Sequence, residues 1–442
     1  MMPYAARRAR LLAQMQPGAV AVLGTAPEVL RNGDSDYPYR HDSHFYYLSG
    51  FAEPESFLVL VAAQAEHAAR TILFCREKNV ERETWEGFRF GPEAAQREFG
   101  VDEAYPIDEL DARMADILAD APSLYYALGS TLDARVAGWL KAVRARARSG
   151  VTAPQTTHHV LGMLDEMRLL KDDHEIALMA RAGAISGQAH ARAMRATRPG
   201  MFEYEIEAEL LHEFRRNGAQ FPAYSSIVAA GANACVLHYS ANNRRIEDGD
   251  LVLVDAGCEF DGYAADITRT WPANGRFTDA QRTLYELVLR AQAAALAAIV
   301  PGQPYSAIHD AAVRVLTEGM FDLGLLDAGK VGTLDDAIAA RAHAQFYMHG
   351  TGHWLGMDVH DVGAYRDVTS PDKPSRPLLP GMALTVEPGI YVRPGEGVPE
   401  RFWNIGIRIE DDVVVTGTGC RILTADAPKD VAEIEALMRE IQ

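Results

Sequence analysis

The sequence predicts two domains, a small α/β domain followed by an α+β domain that contains an internal repeat. Three observations lead to this prediction: the length of 442 residues, an alternation of strand-like and helical segments over residues 1–170, and a helix, Pro-Gly, helix pattern that occurs twice afterwards. A chain of this length exceeds a single core, and its 48% hydrophobic residues are enough for two. We place the division between residues 170 and 171.

Residues 1–170 alternate apolar runs with amphipathic stretches. The strand-like runs are AVAVLG, SFLVLVAA, TILFC and LYYALG. Helical stretches are predicted near residues 92–99, 108–119 and 131–147. An alternation of strands and helices is typical of an α/β domain.

Two segments of the second domain share one pattern, ATRPGMFEYEIEAELLHEF (196–214) and AIVPGQPYSAIHDAAVRVL (298–316). Each is interpreted as a helix end, a Pro-Gly stop and a new amphipathic helix, in which Ile206 and Ile308 occupy the same position. Strand-like sequence follows each unit. The repeat predicts a pseudo-two-fold α+β domain with strands that curve around a central site. Chance similarity of two helix-stop-helix units is the alternative.

Charge and cysteine content exclude several classes of protein. The formal net charge of -18 argues against nucleic-acid binding, because phosphate contacts require clustered Lys and Arg. Cys75, Cys235, Cys258 and Cys420 form no C-x-x-C motif and lie in apolar segments, so we expect reduced core thiols. The amino-terminal segment lacks the apolar run of a secretory signal, and no window has the roughly 20 apolar residues of a membrane span. We therefore expect a cytoplasmic protein.

The segment DGDLVLVDAGCEFDGYAADITRTW predicts two strands joined by a tight turn at Asp261-Gly262. Such a hairpin would bring Asp255 and Asp266 nearly opposite each other. Asp is unfavourable within strands, and an unpaired buried carboxylate is costly, so the apolar strand around Asp255 needs a cation. The alternative, an exposed Asp that caps a turn, fits Asp248 and Asp261 better.

The same anomaly recurs at Glu387 in ALTVEPGIYV and at Glu410 in GIRIEDDVVV. Strand alternation puts Arg408 and Glu410 on one face, for which an exposed ion pair is the alternative. Four carboxylates with one histidine form a ligand set that favours Mn, Co or Zn over Mg or Ca. Two divalent ions would neutralise four negative charges, whereas one ion would leave a buried excess. We therefore expect a dinuclear site.

Residues 348–361, MHGTGHWLGMDVHD, concentrate histidines and glycines. The glycines allow the backbone to approach the site closely, and an H-E-x-x-H zinc helix is excluded because no Glu follows His349. We expect one of His349, His353 and His360 to bind metal and the others to face substrate. His238, in ACVLHYSANN, is either structural or catalytic. Five histidines have helix or linker positions with no predicted partner: His158, His159, His190, His212 and His309.

The motifs LVLVDAG, DITRTW, HGTGHWLGMDVHD, LTVEPGIY and GIRIEDD, in this order, resemble those of the aminopeptidase P and prolidase family. The resemblance covers the whole chain, because RNGDSDYPYRHDSHFYYLSGFAEPES is similar to the amino-terminal part of bacterial aminopeptidases P. It implies the pita-bread fold for residues 171–442 and a metallopeptidase activity. The second stretch favours aminopeptidase P over prolidase.

The resemblance also implies roles for individual residues. The implied ligands of two metals, usually manganese, are Asp255, Asp266, His353, Glu387 and Glu410. The residues implied to face substrate are His238 and His360 at the scissile bond and His349, Tyr391 and Arg408 around the proline. In the implied mechanism a hydroxide between the metals attacks the Xaa-Pro bond, one metal binds the free α-amine, and Glu387 shuttles the proton. The two scissile-bond histidines would steady the oxyanion, and Arg408 would also hydrogen-bond metal-site carboxylates.

Three other functions stay open as alternatives. A prolidase would use the same chemistry on Xaa-Pro dipeptides, a pita-bread interaction protein would lack some ligands, and a creatine-hydrolysing relative would need no metal pair. The resemblance further implies a homodimer or homotetramer formed through residues 1–170, which would also contribute to the rim of the active site. Trp85, in ETWEGF, either reaches a neighbouring subunit's site or is an ordinary buried or rim tryptophan.

Overall fold

The computed structural model describes residues 3–65 and 67–440, and the chain divides into two compact units, Met1–Met167 and Arg168–Gln442. The predicted domain ranges also include residues 1, 2, 66, 441 and 442, which lie outside the described residues. None of the helices in the described ranges combines the length and apolar composition that a bilayer span requires.

The first unit is built on a mixed β-sheet. Its strands are β1 Val20–Gly24, β2 Leu30–Asn32, β3 Ser35–Asp36, β4 Phe57–Val61, β5 Arg70–Cys75, β6 Glu103–Pro106, β7 Ser123–Tyr126 and β8 Thr156–His159. Its helices are α1 Tyr4–Leu12, α2 Ser43–Ser49, α3 Val80–Glu86, α4 Gly91–Phe99, α5 Leu110–Ile117 and α6 Leu132–Arg144, and α7, Leu161–Leu169, contains the division between the units.

The main sheet of this unit has the strand order β6-β5-β4-β1-β7-β8. The four strand-like runs of the sequence form β1, β4, β5 and β7, and the three predicted helical stretches correspond to α4, α5 and α6. Strand β1 pairs antiparallel with β4 and parallel with β7. Its central residues are buried, as are those of β4 and β5, because both faces of the sheet are covered. The α/β prediction for this unit is therefore confirmed.

The second unit contains helices α8 Asp173–Ala196, α9 Glu203–Arg216, α10 Asp279–Ala297, α11 Ser306–Asp322, α12 Ala328–Val331, α13 Leu334–Ala339 and α14 Val431–Arg439. Its strands are β9 Phe221–Pro222, β10 Ile227–Ala230, β11 Leu251–Asp255, β12 Cys258–Phe260, β13 Tyr263–Ala264, β14 Thr268–Pro272, β15 Ala383–Val386, β16 Gly389–Val392, β17 Ile405–Arg408, β18 Asp411–Val415 and β19 Cys420–Ile422.

Two helix pairs confirm the internal repeat. Helices α8 and α9 flank Pro199-Gly200, and α10 and α11 flank Pro301-Gly302. Both glycines have positive φ, +97° and +85°, a conformation that other residues rarely adopt. Ile206 and Ile308 are buried at equivalent positions of the second helix of each pair. Each pair precedes a three-stranded sheet, β10-β11-β14 in the first repeat and β15-β18-β19 in the second.

The predicted hairpin around Asp255 is correct in its turn and in its register. Asp261 and Gly262 have φ of +48° and +80°, as a two-residue hairpin turn requires. Asp255 pairs with Thr268, as a turn at these two residues requires, and Asp266 lies two residues before Thr268, so the two carboxylates are nearly opposite as predicted. The backbone passes very close at Gly257, where an added Cβ would lie 1.7 Å from the Ala265 oxygen.

The prediction that four carboxylates lie within strands needs correction. Asp255 is the last residue of β11, whereas Glu387 lies between β15 and β16 and Glu410 between β17 and β18. Residues at such breaks are not restricted to the alternating faces of a ladder. Carboxylates from several strands can therefore face one cavity.

Candidate metal centre

A cavity of about 600 Å³ opens in the second unit. Its polar lining comes from both repeats and includes Tyr224, His238, Asp255, Asp266, His349, His353, His360, Glu387, Arg408 and Glu410. Nine of these ten residues are site residues predicted from the sequence. The tenth predicted site residue, Tyr391, is buried behind this lining, where its hydroxyl contacts His349 and Arg408.

Asp266, His353 and Glu410 form the tightest group of potential metal ligands. One ligand atom from each lies within 4.8 Å of the other two. His353 Nδ1 is 2.9 Å from the Trp354 carbonyl oxygen, and its Nε2 is 3.4 Å from Asp266 Oδ2. An Nδ1–H that donates to the carbonyl fixes the ring and directs Nε2 towards the carboxylates, which is the usual arrangement of a metal-binding histidine.

The Tyr224 hydroxyl lies between the carboxylates of Asp255 and Asp266, and its contacts indicate that the site needs a cation. Its hydroxyl oxygen lies 2.5 Å from Asp255 Oδ1 and 2.5 Å from Asp266 Oδ1. A hydroxyl has one proton, so it cannot donate to both carboxylates. Arg408 Nη2 donates to the other Asp255 oxygen at 2.6 Å. One of the two carboxylate oxygens therefore lacks a proton from Tyr224. A cation bound between the two aspartates would supply the missing positive charge.

The pKa values of the buried acids also indicate a deficit of cations. Burial raises the pKa of Glu387 to about 7, against the opposing charges of His353 and Arg408. Burial also raises the pKa of Glu410 well above its usual value, and the nearby Asp266 and Glu387 add to the shift. For His353, burial alone would lower the pKa, but the hydrogen bond and charge of Asp266 raise it to about 9. Among the described residues of the lining, four carboxylates thus face two cationic side chains, His353 and Arg408. This set of oxygen and imidazole donors fits a divalent metal.

A hydrogen-bonded chain runs beside the carboxylates. Arg408 Nη1 donates to the Tyr391 hydroxyl at 3.0 Å, and this hydroxyl lies 2.8 Å from His349 Nε2. His349 Nδ1 lies 2.7 Å from the Gly350 carbonyl oxygen. Burial and the charge of Arg408 lower the pKa of His349 to about 3, so its ring is neutral. A neutral ring that is held at both nitrogens presents a rigid, largely apolar face to the cavity.

His238 and His360 line the cavity as exposed side chains. The His360 ring lies edge-on to the His353 ring with centroids 4.2 Å apart. Burial and the neighbouring His353 lower the pKa of His360. Both side chains are therefore accessible to a substrate bound in the cavity.

Comparison with known proteins identifies the family. Residues 177–417 match the model of metallopeptidase family M24, and residues 4–125 match that of the aminopeptidase P N-terminal domain. The chain belongs to metallopeptidase family M24. It is 47% identical to the Xaa-Pro aminopeptidase of Escherichia coli (strain K12), over 98% of this chain and 96% of that protein. It is 36% identical to Xaa-Pro aminopeptidase 3 of Rattus norvegicus, over 98% of this chain and 85% of that protein.

Two solved structures extend the M24 assignment to the fold. Pseudomonas aeruginosa aminopeptidase PepP has a TM-score of 0.94 and 50% identity, and the match covers 98% of this chain and 97% of that one. Zn-substituted E. coli aminopeptidase P in complex with product has a TM-score of 0.94 and 46% identity, covering 99% and 98%. The pita-bread fold, the family resemblance and a metallopeptidase activity are confirmed. The names of these relatives do not favour the prolidase alternative.

The M24 site contains residues that the sequence did not indicate. Besides Tyr224, Thr268 Oγ1 donates to Glu410 Oε2 at 2.6 Å, and the Asp266 N–H donates to Asp412 Oδ2 at 3.0 Å. Tyr224 precedes an apolar strand in FPAYSSIV, where a tyrosine is an ordinary residue. Thr268, two residues after Asp266 in DITRTW, was the one available signal.

The expectation that five further histidines lack partners is wrong for His190 and His309. His190 Nε2 lies 2.9 Å from the Ala256 carbonyl oxygen, and His309 Nδ1 lies 2.8 Å from Thr351 Oγ1. A backbone carbonyl and a side-chain hydroxyl that are distant in the sequence supply these partners, so helical position alone could not exclude them.

Proposed function

We propose that this chain is an Xaa-Pro aminopeptidase, which releases the first residue of peptides that have proline second. The observation that carries the proposal is one cavity in which a carboxylate–histidine cluster adjoins the Arg408–Tyr391–His349 chain. A metal bound in this cluster would support hydrolysis, and the rigid neutral ring of His349 beside it would contact the proline side chain of the substrate. The relatives named above support the same activity.

We propose two divalent ions per chain, most simply manganese, with cobalt or zinc as alternatives. Their ligands would be Asp255, Asp266, His353, Glu387 and Glu410. The excess of carboxylates over cationic side chains supports two ions, because one would leave negative charge buried. Divalent metals in such clusters lower the pKa of a water molecule to near neutrality and polarise a carbonyl group.

The protein's own side chains complete the reaction. Glu387 lines the cavity, where it can accept the proton of the attacking water and return it to the proline nitrogen. His238 and His360 come from separate segments of the lining, and each can donate a hydrogen bond to the developing oxyanion or to the substrate carbonyl. We therefore assign catalytic roles to these three residues.

The proline pocket would be formed by His349, Tyr391 and Arg408. An imide bond to proline has no N–H, so recognition cannot use that donor and relies on the shape of the pyrrolidine ring. The flat face of His349, fixed by Tyr391 and Gly350, supports this selection. A prolidase would additionally have to bind the carboxylate of a dipeptide.

The first unit, predicted as residues 1–170, would form a homodimer or homotetramer and contribute to an active-site rim. Helix α3 supports this assignment, since Trp85 is 84% exposed and Val80 is 79% exposed. Trp85 is therefore not a buried tryptophan, and it is available to contact a second subunit. A cytoplasmic location is supported by the four free cysteine thiols among the described residues, three of which are buried.

The proposal is tested with metal-stripped protein that is reconstituted with one metal at a time. Xaa-Pro-Yaa, Xaa-Pro and Xaa-Ala-Yaa peptides are compared, and we expect rapid cleavage of the first and very slow cleavage of the third. Faster cleavage of Xaa-Pro than of Xaa-Pro-Yaa would indicate a prolidase. Equal rates on Xaa-Pro-Yaa and Xaa-Ala-Yaa would refute the proline pocket.

A further inference from the structure

Glu203 is a fully buried carboxylate that lies outside the metal cluster. Its Oε1 accepts hydrogen bonds from the Ala230 N–H at 2.8 Å and from Asn233 Nδ2 at 3.1 Å. Its Oε2 accepts from the Tyr239 hydroxyl at 2.7 Å and from the Arg244 N–H at 2.8 Å. A carboxylate offers about four acceptor positions, so these donors use its full capacity.

The four donors belong to the segment Ala230–Arg244, which carries His238. They lie at its two ends and next to His238 itself, and the Glu203 N–H returns a bond to the Arg244 carbonyl at 3.0 Å. Glu207, one turn further along α9, accepts from Asn242 Nδ2 at 3.0 Å. The start of one helix therefore holds this segment at several points.

The second repeat uses equivalent positions in the same way. Counted from the two Pro-Gly pairs, Tyr305 corresponds to Glu203 and His309 to Glu207. The Tyr305 hydroxyl donates to the Gly352 carbonyl, and His309 is hydrogen-bonded to Thr351. These two contacts hold the backbone that leads directly into His353.

We propose that Glu203 is a positioning residue that fixes His238 towards the substrate, and that Tyr305 is its counterpart for the histidine segment of the second repeat. The inference rests on the proposed function, in which His238 donates to the substrate carbonyl or oxyanion. In both repeats, the helix pair would therefore position a segment of the active site. The amino-terminal end of its second helix supplies the side chains that hold one histidine-bearing segment of the site.

A double-mutant cycle tests the role of Glu203. Glu203→Gln keeps the size of the side chain but turns an acceptor into a donor that faces other donors. In Mn-loaded full-length protein, we expect kcat for Xaa-Pro-Yaa to fall about tenfold or more, with unchanged metal content and little change in KM. In a His238→Ala background the same substitution should cost less than about twofold, because the group that it positions is absent.

Glu209→Gln provides the matched control on the same helix. Glu209 forms a partly exposed ion pair with Arg192 at 2.6 Å, so its replacement should leave kcat near that of the wild type. If Glu203→Gln does not fold, Tyr239→Phe enters the same cycle, since it removes one of the four donors and leaves the carboxylate in place.

Two results would overturn the positioning role of Glu203. One is an equal loss of kcat in the wild-type and His238→Ala backgrounds, and the other is a lower Tm with unchanged kcat. A wild-type protein that does not cleave Xaa-Pro-Yaa would instead overturn the proposed function.

Tyr305→Phe tests the second repeat. It keeps the ring packed on Trp354, with centroids 4.8 Å apart, and removes only the donor to Gly352. We expect the affinity for Mn²⁺ to fall about tenfold, because the Gly352 carbonyl adjoins the ligand His353. Unchanged Mn²⁺ affinity together with unchanged kcat would contradict this half of the proposal.

Discussion

Glu410 and Asp411 are neighbours in the chain, yet they belong to buried clusters of opposite charge balance. Glu410 lines the cavity, while Asp411 begins β18 and forms ion pairs at 2.6 Å with Arg269 and with Lys429. Gln292 also donates to Asp411, at 3.0 Å. Burial alone would raise the pKa of Asp411, but the charges of Arg269 and Lys429 lower it to about 2.

The Glu410 side of the comparison has much weaker compensation, since the charge of Arg408 opposes the rise of the Glu410 pKa but is outweighed by burial and by the acidic neighbours. The donor to its side chain is the neutral hydroxyl of Thr268, and its neighbours Asp266 and Glu387 are acids. Glu410 lies in the break before β18 and Asp411 begins that strand, so one chain position separates a charge cluster with cationic partners from one that lacks sufficient positive charge. The difference indicates that Asp411 is part of the folded framework, whereas Glu410 requires a cation that the chain itself does not supply.

The largest expected effect follows removal of Glu410. Glu410→Ala should lose at least one equivalent of bound metal, and activity should fall by more than the about 10- to 100-fold typical of a residue that only supports a ligand. Metal content by elemental analysis and kcat/KM on Xaa-Pro-Yaa measure both effects. Glu396→Ala, at an exposed position, is the control. Full metal content in Glu410→Ala would remove Glu410 from the ligand set.

For Asp411 we expect a loss of stability rather than a loss of metal. Asp411→Asn should lower the free energy of unfolding by about 3–5 kcal/mol, because the fully buried Arg269 and the partly exposed Lys429 lose their anionic partner. The matched variant Glu410→Gln should stay within about 1 kcal/mol of the wild type in metal-free protein, since burial already disfavours its charge. Urea unfolding of the metal-free proteins measures both. Equal destabilisation by the two substitutions would break the comparison.

Substitution of histidines within the cavity separates metal binding from catalysis. His238→Ala and His360→Ala should each lower kcat by about 10²–10³ with both metals retained, because each removes a donor to the developing oxyanion. His353→Ala should lose metal together with activity. Metal loss in His360→Ala with retention in His353→Ala would mean that the ligand is assigned to the wrong histidine. Full activity of His360→Ala would limit it to a structural role.

Local patterns predicted most of the fold. The Pro-Gly pairs at 199–200 and 301–302 mark the repeat because helix termination is a property of a few adjacent residues. The close approach of the Gly257 backbone to Ala265 was not predicted. Such a contact forms between chain segments and leaves little trace in hydrophobic alternation.

Some residues of the candidate site could be predicted from the sequence and others could not. Asp255 and Glu410 attract attention because carboxylates are out of place among apolar strand residues. Tyr224 and Glu203 do not, since a tyrosine near a strand and a glutamate at a helix start are common. Their importance comes from partners on distant parts of the chain, which only the fold brings together.

The central claim, that the excess of buried carboxylates exists to hold two cations, is tested most directly by the stoichiometry of metal binding. Metal-free protein is titrated with Mn²⁺ by calorimetry, and bound metal is measured by elemental analysis after saturation. The account predicts two equivalents per chain, and Asp255→Asn should weaken at least one of them because an amide carries no charge. Saturation of the wild type at one equivalent would contradict the account.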